Sequence, residues 1–175
     1  MYLPGIITGT YIYFSVKKTV AGDEPKQDAL DNVMYNLVLT EILYFVGYFW
    51  IIPFQNFSLF NLFAFWIVQD IYFYLVHLLF HRYLFQYHKQ HHSSYGPFLS
   101  WYCHWSEHLF LNLGSVGIPF IMFPNPSWLF LLTICIEVYT SVNGHTIGSP
   151  HHKHHLDTTK RLGSIYIIDK LLGNY

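Results

Sequence analysis

Residues 58–92 read SLFNLFAFWIVQDIYFYLVHLLFHRYLFQYHKQHH. Ser58 to Phe80 is an apolar run of 23 residues, long enough as a helix to cross a hydrocarbon layer of ~30 Å. The same stretch carries His77, His81, His88, His91 and His92 at its far end. Spacings of three and four residues stack side chains on one helical face, a turn apart. The stretch therefore predicts an apolar helix that ends in paired imidazoles. The fold question is what the rest of the chain brings to that end.

Working outward, three further apolar runs are spans by the same reasoning. Met34 to Ile52 is ended by Pro53, Leu109 to Phe123 is short and holds Gly114, Gly117 and Pro119, and Trp128 to Val142 is the last. The first two spans form a hairpin through Pro53–Phe57, and the last two form another through the tight turn Pro124–Ser127. This threading places the start of the first and third spans and the end of the second and fourth on one membrane face. All nine Lys and Arg fall on that face, from Lys17 and Lys18 to Lys170, and the positive-inside rule makes it cytosolic. All twelve histidines, His77 to His155, fall there as well. The expected architecture is an all-α multi-pass membrane bundle of about four spans in two hairpins, with a cytosolic histidine-rich metal cap. Residues 1–33 read as an apolar segment (1–16) and a polar linker (17–32) ahead of a catalytic domain over 34–175.

Composition points the same way. The chain is 53% hydrophobic and only 11% charged, against about 25% charged in soluble domains. A net charge of -1 gives nucleic acid nothing to bind. The two cysteines, Cys103 and Cys135, make no disulfide framework. Cys103, beside His104, is a minor alternative ligand.

The histidines fall in boxes: His77/His81, His88/His91/His92, His104 with Glu107, His145 after Asn143-Gly144, and His151/His154/His155. A structural zinc site closes on about four ligands. Ten candidate imidazoles exceed that and suit two ions of higher coordination number, which points to iron among the common metals that accept imidazole. A shell of neutral nitrogens leaves the ions highly charged, and Glu107 is the carboxylate placed to moderate this. His152 points off the face of its box, and His108 competes with His104 for one role. Three acids lie inside spans, Glu41, Asp70 and Glu137, at similar depth beneath the histidines. Intramembrane acids are functional candidates by default. Asp70 is the candidate support for His77, with interhelical hydrogen bonding as the plainer role.

As a set these boxes resemble the fatty acid hydroxylase and sterol desaturase superfamily over about residues 34–175. Asp70 ahead of the first box and the ending Asp169-Lys-Leu-Leu-Gly173 are similar to that family too. The resemblance implies a non-haem diiron membrane oxidase that hydroxylates or desaturates a fatty acyl, sterol or sphingolipid substrate drawn from the bilayer. It implies dioxygen as oxidant, electrons from a separate donor such as cytochrome b5 and its reductase, and residence in the endoplasmic reticulum. The rival readings are a non-catalytic histidine-rich membrane metal-binding protein and a metal transporter. A transporter needs polar groups running to the far face, and the acids stop at mid-depth.

Overall fold

The computed structural model describes residues 5–18, 26–47, 56–93 and 95–174. Among these the chain is helical, with no strand. The elements are α1 (Ile6–Lys18), α2 (Gln27–Val46), α3 (Leu59–Tyr83), α4 (Phe85–His92), a 3-10 turn (Pro97–Leu99), the single turn α5 (Trp105–Glu107), a π-helical stretch (His108–Leu113), α6 (Gly114–Met122), α7 (Ser127–Gly144), α8 (Pro150–Leu156) and α9 (Ile167–Leu172).

α3 is the axis of the fold. Ser58 caps its N-terminus by accepting from the Asn61 N–H at 3.2 Å, which satisfies one of the orphan donors of the first turn. The second hairpin's turn is latched to this end. The Ser58 N–H donates to Asn125 Oδ1 at 3.1 Å, and Asn61 Nδ2 donates to the Pro124 carbonyl at 2.7 Å. Asn61 lies 16 residues before His77, roughly 24 Å along the helix, so this turn and the histidines occupy opposite ends. The Pro53–Phe57 turn expected for the first hairpin falls largely outside the described residues.

An aromatic column ties the helices together between these ends. Phe65 of α3 meets Phe120 of α6 edge-on at 5.6 Å, Phe120 meets Phe130 of α7 at 4.6 Å, and Phe130 stacks on Tyr44 of α2 at 5.5 Å. Each such pair contributes about 0.5–1.5 kcal/mol beyond the area it buries. The N-terminal segment is part of the same body: α1 packs on α7 and on the 3-10 turn. Its Ile7 and Tyr11 are buried, and Tyr11 donates to the Phe98 carbonyl at 2.9 Å.

Two spans differ from the expectation in shape. α2 starts at Gln27, inside the stretch read as linker; Asp28 sits in its first turn, where the helix dipole favours an acid. The third span is divided into the π stretch and α6, with Pro119 inside the latter. A π stretch opens the backbone ladder, and here the Phe110 carbonyl accepts from Tyr72 Oη at 3.0 Å. Among the described residues α3 alone is long and apolar enough to cross a membrane; Trp128–Gly144 is a shorter apolar helix. α3 also bares a continuous apolar stripe, Phe60, Phe63, Ile67, Ile71, Leu75 and Leu79, all exposed. Contiguous apolar surface of that kind marks a face that meets something other than water.

The three acids expected as one layer have separate partners. Glu41 accepts from the Thr8 N–H and hydroxyl at 3.0 and 3.2 Å. Glu137 accepts from Gln69 Nε2. Asp70 accepts from the Ile165 and Ile168 N–H groups, each at 2.9 Å, and so holds the C-terminal segment rather than His77 directly.

Candidate metal centre

α3 ends at Leu84, where φ of -121° and ψ of 24° break the helix. α4 thereby folds back so that its imidazoles face those of α3. α8 approaches from the other side, started by Ser149, whose hydroxyl accepts from the His152 N–H at 3.0 Å. His145 caps the C-terminus of α7. Nine histidines from these four places converge in two groups. His77, His81, His88, His92 and His154 form one; His91, His145, His151 and His155 form the other. Within each group the ligand nitrogens lie within 4.8 Å of one another.

The boxes divide between the groups by helical phase. His88 and His92, four apart on α4, join the first group, and His91, a residue off that face, joins the second. On α8 the division is mirrored: His151 and His155 serve the second group and His154 the first. The i, i+4 pair lies on one side of a helix, and the third imidazole is rotated about 100° away from its neighbour. The groups abut: the His88 and His91 rings are 5.6 Å apart and the His77 and His151 rings 6.3 Å.

In every contact within the groups Nε2 faces Nε2. His88 Nε2 is 3.0 Å from His81 and His92 and 3.2 Å from His77, and His81 is 3.1 Å from His154. His91 and His155 each lie 3.2 Å from His151, and His145 lies 3.4 Å from His91. For three of the nine the outward nitrogen accounts for this. His77 Nδ1 donates to the Leu162 carbonyl, His154 Nδ1 to the Lys160 carbonyl and His145 Nδ1 to the Ser141 carbonyl, each at 2.8 Å. A neutral imidazole with its proton on Nδ1 presents a lone pair at Nε2. Lone pairs converging at ~3 Å repel unless a cation lies among them. Each nest could hold a metal ion, so the residues fit an imidazole-ligated metal.

Electrostatics keep these rings neutral. Burial, reinforced by neighbouring imidazoles, holds His91 and His151 well below the ordinary histidine range and lowers His92 to about 3 and His155 to about 2. Burial likewise lowers His88. Glu107 is buried behind the first group, with Oε2 3.0 Å from His88 Nδ1. The contact is at ion-pair distance without hydrogen-bond geometry. Desolvation pushes the Glu107 carboxyl well above the usual range. Glu107 thus stands at the outer edge of a candidate ligand and is not a member of either group.

His104 was expected among the ligands and stands apart. Its Nδ1 lies 2.7 Å from Ser106 Oγ and accepts from the Ser106 N–H, capping α5, while its ring packs on Tyr87 at 4.8 Å. Its pattern in sequence could not show this, because the side chain is consumed by local capping. His108 is buried between Thr40 Oγ1 at 2.8 Å and Asn112 Nδ2 at 3.1 Å. His152 accepts from the Gly148 N–H. Cys103 is buried among Asn36, Trp101 and Asn112 and joins neither group.

The C-terminal segment is the support that spacing did not reveal. Asp169 Oδ1 accepts from the Leu162 N–H at 2.9 Å and Oδ2 from the Gly163 N–H at 2.6 Å. With the Asp70 bonds, two buried carboxylates grip the strap that supplies the carbonyls for His77 and His154. The strap is entered and left in left-handed backbone, Arg161 at φ 59° and Tyr166 at φ 62°, a costly conformation for non-glycine residues that surrounding bonds must enforce. The signal available in sequence was the Asp169–Gly173 ending, matched but given no role.

Below the centre opens a cavity of about 440 Å³, within the ~300–1,000 Å³ of ligand pockets. His77, His91, His145 and His151 form its head, and Tyr72, Phe110, Val116, Ile121, Phe130 and Ile134 are among its apolar walls.

A family model described as fatty acid hydroxylase matches residues 62–174. No curated protein and no solved structure matches the chain.

Proposed function

The chain belongs to the fatty acid hydroxylase family, and on that footing we propose that it is a membrane-embedded non-haem diiron oxidase that hydroxylates or desaturates a lipid. One observation carries the reading: the imidazoles of both groups form the head of a largely apolar cavity. A lipid chain in that cavity has a C–H bond beside the metal centre. His77, His81, His88, His92 and His154 would hold one iron and His91, His145, His151 and His155 the other. Together, when bound and reduced, the irons supply the activation of dioxygen that breaking an unactivated C–H bond requires.

The chain's own groups do the rest. Leu162, Lys160 and Ser141 fix three imidazole tautomers by holding the Nδ1 protons. Glu107 stands where it can take a hydrogen bond from His88 Nδ1 once a cation draws on Nε2. The apolar walls orient the chain and limit water around the reacting carbon. The exposed stripe on α3 suits a lipid environment, and the Lys and Arg at the histidine end support a centre at the cytosolic surface, as in the endoplasmic reticulum. Electrons come from outside the chain, from a donor such as cytochrome b5 with its reductase.

The test is protein purified in detergent, assayed for metal and for reductant- and O2-dependent products from a lipid panel by mass spectrometry. Iron near two per chain, one per imidazole group, with an oxidised lipid is the expected result. Metal flux in liposomes without lipid oxidation would instead establish a transporter. A second measurement concerns Glu107. Glu107→Gln keeps the volume and removes the carboxylate, and it is expected to weaken iron binding about 10–100-fold in chelator competition. Unchanged affinity would remove Glu107 from the centre.

A further inference from the structure

The cavity wall is unequal in what it offers a ligand. Several of its hydroxyls are committed within the protein: Tyr72 Oη donates to the Phe110 carbonyl, Ser115 Oγ to the Asn112 carbonyl and Thr140 Oγ1 to the Glu137 carbonyl. Thr40 Oγ1 donates to the Asn36 carbonyl and contacts His108 Nε2. Ser100 Oγ donates to Tyr11 Oη. Beside these the wall holds spare acceptor capacity. Glu137 lines the cavity and receives Gln69 Nε2 on Oε1, while a carboxylate has about four lone-pair sites. Gln69 itself is fully buried and lies outside the cavity lining, so the spare acceptor sites that face the cavity are those of Glu137. Glu137 lies eight residues before His145 on α7, roughly 12 Å deeper than the centre.

We propose that Glu137 is the recognition point for the hydroxyl of a lipid alcohol, which donates to its carboxylate and sets which carbon lies beneath the imidazoles. The inference rests on the oxidase reading for its purpose but not for its test. The hydroxyl is a donor and so matches the acceptor that Glu137 offers, and at this depth it is distant from the reacting carbon. Glu137 is accordingly a positioning residue. Hydrocarbon walls alone discriminate weakly between lengths and isomers, whereas a site built to pair a hydroxyl rejects an analogue lacking it far more strongly.

The test measures binding of two matched pairs to the full chain in detergent by native mass spectrometry: 1-hexadecanol and its methyl ether, cholesterol and its methyl ether. The wild type is expected to bind at least one alcohol about tenfold or more tightly than its ether. Glu137→Leu is expected to abolish that preference. Glu137→Gln, which keeps an acceptor oxygen and loses the charge, is expected to retain most of it. Equal binding of alcohol and ether in both pairs, or no binding of either alcohol, overturns the proposal. So does a preference that survives in Glu137→Leu. A preference for hexadecylamine over both alcohols, lost in Glu137→Gln, overturns it in favour of a cationic headgroup. These readouts need no turnover, so failure of lipid oxidation with the preference intact would refute the oxidase reading alone. If oxidation occurs, Glu137→Leu is also expected to scatter the oxidised position along the chain.

Discussion

Replacing His88 with alanine is expected to empty the five-imidazole group and lower lipid oxidation at least about 100-fold, beyond the ~10–100-fold of supporting residues. His88 is the hub of that group. Its Nε2 is 3.0 Å from two partners and 3.2 Å from a third, and its Nδ1 faces Glu107. Truncation removes a ligand and leaves the Glu107 carboxyl buried without its partner, a second penalty at the same place. Iron per chain should fall by about half, because the four-imidazole group keeps all its members. The decisive control is His104→Ala. In sequence His104 looks as much like a ligand as His88, but its nitrogen caps α5. That variant is expected to retain the iron of the wild type and to lose only cap stability, about 0.5–2 kcal/mol. Equal loss of iron in both variants would mean that the two groups are not the ligand sets.

The second large effect is expected from a methyl group. A Cβ at Gly163 would lie 2.8 Å from both Asp169 Oδ2 and Asp70 Oδ1, closer than real Cβ contacts allow. Neither carboxylate is a free end. Asp169 holds the Leu162 and Gly163 N–H groups, and Asp70 holds those of Ile165 and Ile168. Gly163→Ala must therefore break buried, charge-assisted bonds on both sides of the strap, each worth about 1.5–3 kcal/mol, and overpacking adds about 1–3 kcal/mol. The Leu162 carbonyl then no longer holds the Nδ1 proton of His77. The expected result is a marked fall in thermal stability in detergent together with reduced iron in the first group. Gly148→Ala is the comparison: its φ is +83° but no atom lies within 4 Å of the added Cβ. It should cost backbone strain alone and leave the iron content unchanged. Wild-type iron content in Gly163→Ala would show that the strap does not support the centre.

Much of this molecule was legible in residue order. Helical content, the far-side turn at Pro124–Ser127 and the gathering of histidines at one end all follow from periodicity, because a helix fixes which side chains share a face. The nine converging histidines were all among the ten named. His104 lies outside both groups, which spacing does not reveal because a histidine that ligates and one that caps a helix have the same local pattern. The acids illustrate the opposite case. Position along each helix was readable from residue counts, but partners were not. Asp70 lies seven residues from His77 and reaches it only through a segment 95 residues further on.

The 58–92 stretch by itself determined that an apolar helix carries paired imidazoles at one end, since the 3.6-residue period admits no other placement. It could not determine how those imidazoles are grouped. That was decided by the break at Leu84 and the approach of α8, which turn His91 and His154 away from their own boxes and into the opposite groups. Spacing along a helix fixes direction from its axis; only packing between helices decides which directions meet.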